Sequence, residues 1–182
     1  MEKVYYAEME TPKGVLWAAA TDGGLLCTGR SEEDLFGEIR RRLKADLVKD
    51  PSKFEELRKW LETFYRGEPV KYEGAFDLRG TEFQKRVWRA IHDIPYGRLT
   101  SYGRIAKDIG KPRAARGVGN AVGANPLGPV IPCHRVVWSN GGLGGFGGGL
   151  GMKRELLRLE GILPRAEGTP ERDIDLRQFF YR

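Results

Sequence analysis

The stretch SYGRIAKDIGKPRAARGVGNAVGA, residues 101–124, decides the fold of the second half of the chain. Apolar residues recur at helical spacing from Ser101 to Ile109 and again from Arg113 to Ala124. Between the two runs lies Gly110-Lys111-Pro112, and Gly and Pro are strong turn formers. Two short helices joined by such a turn match a helix-turn-helix, a motif of many DNA-binding proteins. The spacing alone is weak evidence, since many all-helical proteins contain a similar pair.

The distribution of charge strengthens the DNA-binding interpretation. Residues 98–135 contain seven Lys and Arg and one acidic residue, Asp108. The chain has 182 residues and a net charge of +6, but residues 1–80 carry 14 basic and 16 acidic side chains, whereas residues 81–182 carry 17 and 9. Positive charge is therefore concentrated in the second half, as in a nucleic-acid footprint. A solvated basic face that binds nothing would give the same balance.

The first part of the chain has a β-type pattern followed by a helical one. Apolar runs are separated by the turn sequences Thr11-Pro12-Lys13-Gly14 and Thr21-Asp22-Gly23-Gly24, which predicts a small antiparallel sheet. Two helices follow, with predicted N-terminal caps at Ser31 and Ser52.

Residues 67–80 are the predicted linker, because they show no helical period and precede the change in charge balance. Directly after them, Thr81 and Gln84 form a capping box that opens a helix, and Pro95-Tyr96-Gly97 ends it.

Composition excludes several classes of protein. A hydrophobic content of 40% excludes a disordered tail, and no apolar run approaches the roughly 20 residues that span a bilayer. The first residues lack the basic-then-apolar order of a secretory signal. Two cysteines are too few for a disulfide framework, and two histidines exclude a His-rich metal site. We therefore expect a cytoplasmic protein with no membrane association, no metal and no cofactor.

Cys133 is the candidate nucleophile, and the adjacent His134 is a candidate base that acts directly or through water. Neighbours in an extended segment point to opposite sides, so the two are not automatically a pair. A buried structural cysteine beside an incidental histidine is the alternative. The rigid, proline-rich approach and the apolar pair that follows favour a functional segment: Pro126, Pro129, Pro132, then Val136-Val137.

Here the motifs resemble those of the O6-alkylguanine-DNA alkyltransferase family, over roughly residues 81–163. The most specific motif is IPCHRVV, residues 131–137. Further motifs fall at matching spacing: Pro95-Tyr96-Gly97, Ser101-Tyr102-Gly103, RGVGNA at 116–121, Asn125-Pro126, a loop with eight glycines among residues 141–151, and a helix that ends in Glu160.

The resemblance implies an α+β fold in two domains and a tail. Residues 1–78 would form a ribonuclease-H-like α/β domain with a small antiparallel sheet and helices, and residues 79–165 a mostly helical domain with a winged helix-turn-helix. Residues 166–182 would be a C-terminal tail, with Phe179-Phe180-Tyr181 able to dock on the body.

The resemblance also implies a reaction and its residues. Cys133 would take the alkyl group irreversibly from O6-alkylguanine, or from O4-alkylthymine, so that each molecule acts once. His134 would deprotonate Cys133 through a water, Glu160 would orient His134, and Asn125 would brace the segment against the recognition helix.

The implied partner is double-stranded DNA, bound through the minor groove, independently of sequence, by a monomer. The target nucleotide must leave the stack to react. Arg116 would take the place of the nucleotide in the stack, and Tyr102 would help to turn the nucleotide out. Gly103, Arg135 and Ser139 would contact DNA.

The pocket would be lined by Tyr102, Val136, Phe146 and Gly147. Many family members have a Tyr-Ser pair where this chain has Phe146-Gly147, so both hydroxyl groups are missing and backbone N–H groups would have to donate to O6. The glycine-rich loop contains no Gly-Lys-Ser/Thr, which excludes a P-loop.

Two other functions remain open from the sequence. Alkyltransferase-like proteins bind lesions without transfer, but they typically lack the reactive cysteine. A helix-turn-helix regulator would bind one DNA sequence, usually as a dimer. Cys27 has no cysteine or histidine near it in sequence, which favours a buried core thiol over a zinc ligand.

Overall fold

The computed structural model describes residues 1–164 and 174–181. The chain divides into two compact units, Met1–Gly80 and Thr81–Arg182. It is a mixed α+β protein, with six α-helices and two small sheets in the described residues. Over the same residues, no helix is long and apolar enough to cross a membrane.

The first unit is built on a four-stranded sheet in the order β3-β2-β1-β4. Strands β1 (Glu2–Thr11), β2 (Gly14–Thr21) and β3 (Gly24–Gly29) form the predicted antiparallel meander. Strand β4 (Ala45–Lys49) pairs with β1 in parallel, so the sheet is mixed and the purely antiparallel prediction is wrong. None of the five residues of β4 is buried, and for that reason its sequence lacks the apolar alternation of a strand.

Two helices belong to this unit. Helix α1 (Glu32–Arg42) begins at the predicted cap, where the Ser31 hydroxyl accepts a hydrogen bond from the Asp34 N–H. Helix α2 (Glu55–Tyr65) follows a short 3-10 helix, Pro51–Phe54, whose cap is Asp50 and not the predicted Ser52.

Cys27 lies in the core of the first unit, together with Val4, Ala19, Leu26, Leu35 and Ile39. Burial raises the pKa of the Cys27 thiol to about 12. This cysteine is therefore an unreactive packing residue, as predicted.

The second unit contains the predicted helical pair. Helix α3 (Glu82–His92) begins with both hydrogen bonds of the Thr81–Gln84 capping box. Helices α4 (Tyr102–Asp108) and α5 (Ala115–Gly123) follow, with buried apolar residues on their inner faces. The last helix is α6 (Leu150–Leu159).

A two-stranded parallel sheet connects these helices. Strand β5 (Thr100–Ser101) leads directly into α4, and β6 (Val136–Val137) directly follows the Cys-His-Arg sequence. Ser101 is paired with Val137. The segment that contains Cys133 is therefore fixed against the beginning of α4.

Part of the predicted tail packs into the same unit. The Leu99 N–H donates to the Phe179 carbonyl at 2.9 Å, and the Tyr181 N–H donates to the Leu99 carbonyl at 3.0 Å. Leu176 lies in an apolar cluster with Leu99, Val137, Leu157, Ile162 and Leu163. Residues 166–173 and 182, the rest of the predicted tail, lie outside the described residues, as does residue 165.

Candidate active site

Cys133 begins a single 3-10 turn, Cys133–Arg135, between Pro132 and strand β6. Its N–H donates to the Ile131 carbonyl at 2.8 Å, and the Arg135 N–H donates to the Pro132 carbonyl at 2.9 Å. Because this segment is a turn and not extended, sequence neighbours in it are not forced to opposite sides. The objection to a pair of adjacent residues, Cys133 and His134, therefore does not hold here.

The thiol of Cys133 lies in a protected environment, although the residue as a whole is partly exposed. Burial raises the pKa of Cys133, while a hydrogen bond from the Asn125 side chain and the positive charge of Lys153 lower it. Since burial is the largest effect, the group is a neutral thiol at rest. It needs a base before it can attack as a thiolate.

Asn125 connects the end of helix α5 to this segment. Its backbone N–H donates to the Val122 carbonyl at 3.2 Å. Its side-chain Nδ2 donates to the Ile131 carbonyl at 2.7 Å, and its Oδ1 accepts from the Leu127 N–H at 3.1 Å. Asn125 thus fixes the approach to Cys133 at both its beginning and its end.

His134 is fully buried and contacts a carboxylate. Its Nε2 lies 2.6 Å from Oε1 of Glu160, the residue at the C-terminal end of helix α6. The other oxygen of Glu160 accepts from the Gly97 N–H at 3.0 Å. An ionised carboxylate can only accept, so Nε2 carries the proton and Nδ1 has the lone pair that a base needs.

Arg135, a predicted DNA contact, is only 4% exposed, and its guanidinium binds the buried carboxylate of Glu160. Its guanidinium donates from Nε to both Glu160 oxygens at 3.0 Å and from Nη2 to Oε1 at 2.9 Å. Its Nη1 donates to the Ile94 carbonyl at 2.6 Å, and the group lies 5.5 Å from the centre of the Tyr96 ring. Arg135 is the counter-ion of a buried carboxylate.

These contacts set the protonation states of the pair. Burial alone raises the pKa of the Glu160 carboxyl, but His134 and Arg135 outweigh it and lower this pKa to about 2. Burial lowers the pKa of His134 below 6.5, against the opposite effect of Glu160. At neutral pH His134 is therefore an uncharged imidazole held by a charged carboxylate, and it can accept a proton.

Lys153 is a site residue that the sequence analysis missed. It is completely buried in helix α6, and its Nζ donates to the Val136 carbonyl at 2.6 Å and to the Leu143 carbonyl. Burial lowers the pKa of Lys153 to about 8, and Cys133 raises it. The available signal was a lysine on the apolar face of the helix, four residues before Leu157. Lys153 ties strand β6 to the glycine-rich loop.

The glycine-rich loop packs on Tyr102, which is 5% exposed at the start of helix α4. At Gly144 (φ +73°), a Cβ atom would lie 2.7 Å from the Tyr102 hydroxyl, so only glycine allows this approach. Cys133 is close enough to raise the pKa of Tyr102, in addition to the larger effect of burial. Tyr102 and the loop therefore border the site of Cys133.

The remaining predicted site residues are placed as follows. Phe146 is half-buried beside Gly148, and Gly147 is exposed. Val136 is fully buried in β6. Arg116 is exposed in the first turn of α5, Ser139 is exposed after β6, and Gly103 is half-buried in α4.

Exposed basic side chains are frequent in the part of the chain that contains helix α4 and the start of helix α5. Those between residues 98 and 116 are Arg98, Arg104, Lys107, Lys111, Arg113 and Arg116.

In the residues that the structure describes, no three His, Cys, Asp or Glu side chains come together as a metal site would need.

Comparison with known proteins gives consistent results. Residues 82–162 match the family described as 6-O-methylguanine DNA methyltransferase, DNA binding domain. The chain is 41% identical to a methylated-DNA–protein-cysteine methyltransferase of Mycobacterium bovis, over 86% of this chain and 92% of that one. It is 39% identical to the protein of the same name from Methanosarcina acetivorans, over 87% of this chain and 99% of that one.

Solved structures share the fold. A crystal structure of Mycobacterium tuberculosis OGT in complex with DNA has a TM-score of 0.74 and 39% identity, and covers 86% of this chain and 92% of its own. The O6-methylguanine-DNA methyltransferase of the archaeon Pyrococcus kodakaraensis, at 24% identity, has a TM-score of 0.66 over 87% of this chain and 99% of its own, which is a likeness of fold.

The buried carboxylate predicts a specific dependence of stability on pH. In the folded protein the pKa of Glu160 is about 2, below the ordinary value of 4.5. A lowered folded pKa gives stability that is present above pH 4.5 and is lost as the pH falls towards 2. Glu160→Gln leaves the Arg135 charge without its counter-ion and should lower the free energy of unfolding at pH 7 by about 3–5 kcal/mol.

Denaturant unfolding from pH 7 to pH 2.5 tests this prediction. The difference in unfolding free energy between the wild type and Glu160→Gln should shrink below pH 4.5, because a protonated Glu160 resembles glutamine. Glu155→Gln, an exposed position of the same helix, is the control and should change stability by less than about 0.5 kcal/mol. A difference that stays constant with pH would contradict the low pKa of Glu160.

Proposed function

The chain belongs to the methylated-DNA–protein-cysteine methyltransferase family, and we propose that Cys133 is the cysteine on which it accepts the alkyl group. The chain is a methyltransferase that repairs DNA by direct reversal of alkylation. The observation that carries the assignment of Cys133 is the hydrogen-bonded pair of Glu160 and His134, in which an uncharged imidazole directly follows an uncharged thiol in the chain.

The proposed reaction is a displacement at the alkyl carbon of O6-alkylguanine, and of O4-alkylthymine. His134 removes the thiol proton of Cys133, directly or through a water molecule, and Glu160 stabilises the imidazolium that forms. The sulfur forms a bond to the alkyl carbon while the bond from that carbon to O6 breaks. The thiol proton is finally recovered by the released guanine. The thioether has no easy leaving path, so each protein molecule reacts once.

We further propose that helices α4 and α5 form a winged helix-turn-helix that binds duplex DNA in the minor groove, independently of sequence. The exposed basic side chains support this surface, and the similar Mycobacterium tuberculosis protein was crystallised with DNA. Chemistry on a paired base requires the nucleotide to leave the stack. Exposed Arg116 would fill the gap, and Tyr102, beside Cys133, would guide the nucleotide into the site.

The glycine-rich loop would close over the base. In this position Phe146 offers an aromatic face, and Gly147 carries no hydroxyl group. We propose that backbone N–H groups of the loop donate to O6. Lys153 would act indirectly, because its hydrogen bonds to the Val136 and Leu143 carbonyls keep the loop next to β6.

The finer fold assignment supports the same proposal. The order β3-β2-β1-β4, with three antiparallel strands and a parallel fourth, is compatible with a ribonuclease-H-like first unit. We propose a monomer that works in the cytoplasm, where both free thiols, Cys27 and Cys133, would stay reduced.

A lesion-binding protein without transfer activity is the alternative function. Nothing in the described site favours it, because Cys133 is present together with a base and the counter-charge of that base.

Mass spectrometry of the intact protein tests the assignment of Cys133. After incubation with a duplex that contains O6-methylguanine, the wild type should gain one methyl group per molecule, and peptide mapping should place it on Cys133. Cys133→Ala should gain none, and Cys27→Ala should gain one, because Cys27 is a buried core thiol. Tight binding to the lesion without added mass would support the alternative function.

Arg116→Ala tests the role of the exposed arginine of helix α5. The free base O6-benzylguanine needs no extrusion from a stack, whereas a base in duplex DNA does. We expect the ratio of the rate on duplex to the rate on the free base to fall by about tenfold or more, since extrusion costs a few kcal/mol.

Arg113→Ala is the matched control, because it removes an exposed basic side chain of the same surface just before helix α5. It should weaken binding to all duplexes slightly and leave this rate ratio within about twofold. Equal losses for Arg116→Ala on both substrates would contradict the proposed role of Arg116.

A further inference from the structure

Trp138 is a large apolar side chain in an unexpected place. Trp138 is 53% exposed, whereas Trp60 and Trp88 are buried and only 5% and 1% exposed. Trp138 directly follows the IPCHRVV motif and is not part of it. Tryptophan is enriched at interaction surfaces relative to the rest of a protein surface.

The pairing of β5 and β6 brings Trp138 to the mouth of the site. Ser101 is paired with Val137, so the residues that follow, Tyr102 and Trp138, emerge side by side. Their ring centres lie 4.9 Å apart, with an angle of 48° between the planes. Tyr102 borders Cys133 and packs against the glycine-rich loop. The indole of Trp138 therefore extends the aromatic surface of Tyr102 towards solvent.

A tight turn holds the indole in this position. The Trp138 N–H donates to the Gly142 carbonyl at 2.7 Å, and the Gly141 N–H donates to the Trp138 carbonyl at 2.9 Å. Asn140 Oδ1 accepts from the Gly142 N–H at 3.0 Å. A Cβ atom at Gly142 would lie 3.2 Å from Cδ1 of Trp138, so the ring edge rests on this glycine. The indole contacts Tyr102 on one side and the turn on another, and its remaining surface is exposed to solvent.

We propose that Trp138 is a further DNA-contact residue, and that its open face packs on the nucleotide next to the one that is turned out. This inference rests on the proposed function, in which Tyr102 guides the extruded nucleotide. Aromatic side chains stack on any base without reading its sequence, which suits a protein that must search all sequences for damage. An indole that is already fixed loses little conformational freedom on binding.

The other role that the contacts allow is purely internal, with Trp138 supporting Tyr102 and the glycine-rich loop. The two roles differ in a measurable way. A support for Tyr102 affects the reaction with every substrate, including a free base. A contact to the neighbouring nucleotide affects only a substrate that has one.

Kinetics on two substrates separate these roles. The rate of alkyl transfer is measured for Trp138→Ala and Trp138→Phe, on free O6-benzylguanine and, at subsaturating concentration, on a duplex with O6-methylguanine. For Trp138→Ala the ratio of the duplex rate to the free-base rate should fall by about tenfold, as expected for the loss of one stacking contact. Trp138→Phe keeps an aromatic face and should recover most of that ratio. Equal losses on both substrates, or an unchanged ratio, would overturn the proposal.

Fluorescence gives an independent test that does not depend on the rate of alkyl transfer. Adding a duplex that contains O6-methylguanine to the wild type should quench the tryptophan emission, because the exposed indole becomes covered by the nucleotide next to the lesion. The change should be lost in Trp138→Phe, whose remaining tryptophans are Trp17, Trp60 and Trp88. A change that persists in Trp138→Phe would refute the contact. Quenching without any alkyl transfer to Cys133 would instead show that the proposed function fails while the contact holds.

Discussion

The buried carboxylate of Glu160 joins three segments of the second unit through its hydrogen bonds. A buried charge is tolerated only when it is paired and all its lone pairs are used. Here His134 and Arg135 donate to it from one segment, and the Gly97 N–H donates from another that is distant in sequence. The end of helix α6, the turn after helix α3 and the turn that begins with Cys133 therefore meet at one point. The removal of any donor would loosen all three.

The same carboxylate prepares His134 for its proposed work. A carboxylate that accepts at Nε2 selects the tautomer with the lone pair on Nδ1, and it stabilises the imidazolium after proton transfer. His134 and Arg135 together outweigh the effect of burial and lower the pKa of Glu160 to about 2, so the carboxylate is ionised at neutral pH. Lys153 adds a positive charge that favours the thiolate of Cys133. Without a substrate, Cys133 and His134 are uncharged, and the charged side chains around them are fixed in place. Such an arrangement suits a protein that must react only when a substrate is bound.

The parts of the fold that the sequence predicts are those fixed by local contacts. The capping box of Thr81 and Gln84, the cap at Ser31 and the helical pair of residues 101–124 all depend on neighbours a few positions away. Strand β4 was missed because its pairing with β1 is not local and its side chains are not buried.

Within the site, the roles of Cys133, His134 and Glu160 were predicted from the resemblance of their motifs to those of a known family. The counter-ion role of Arg135 came only from the structure, because its partner lies 25 residues away. Lys153 and Trp138 were missed for a related reason: one is charged and buried, the other apolar and exposed, and burial cannot be deduced from residue type alone.

The most direct test of the central role of Glu160 is nitrogen-15 NMR of the His134 ring. The chain has two histidines, so His92→Gln leaves the imidazole of His134 as the one signal to follow. We predict a neutral ring at pH 7, with its proton on Nε2 and a pKa below 6.5. In Glu160→Gln the preference for this tautomer should be lost. A ring that is protonated at pH 7, or neutral with its proton on Nδ1, would contradict the assignment of His134 as a base set by Glu160.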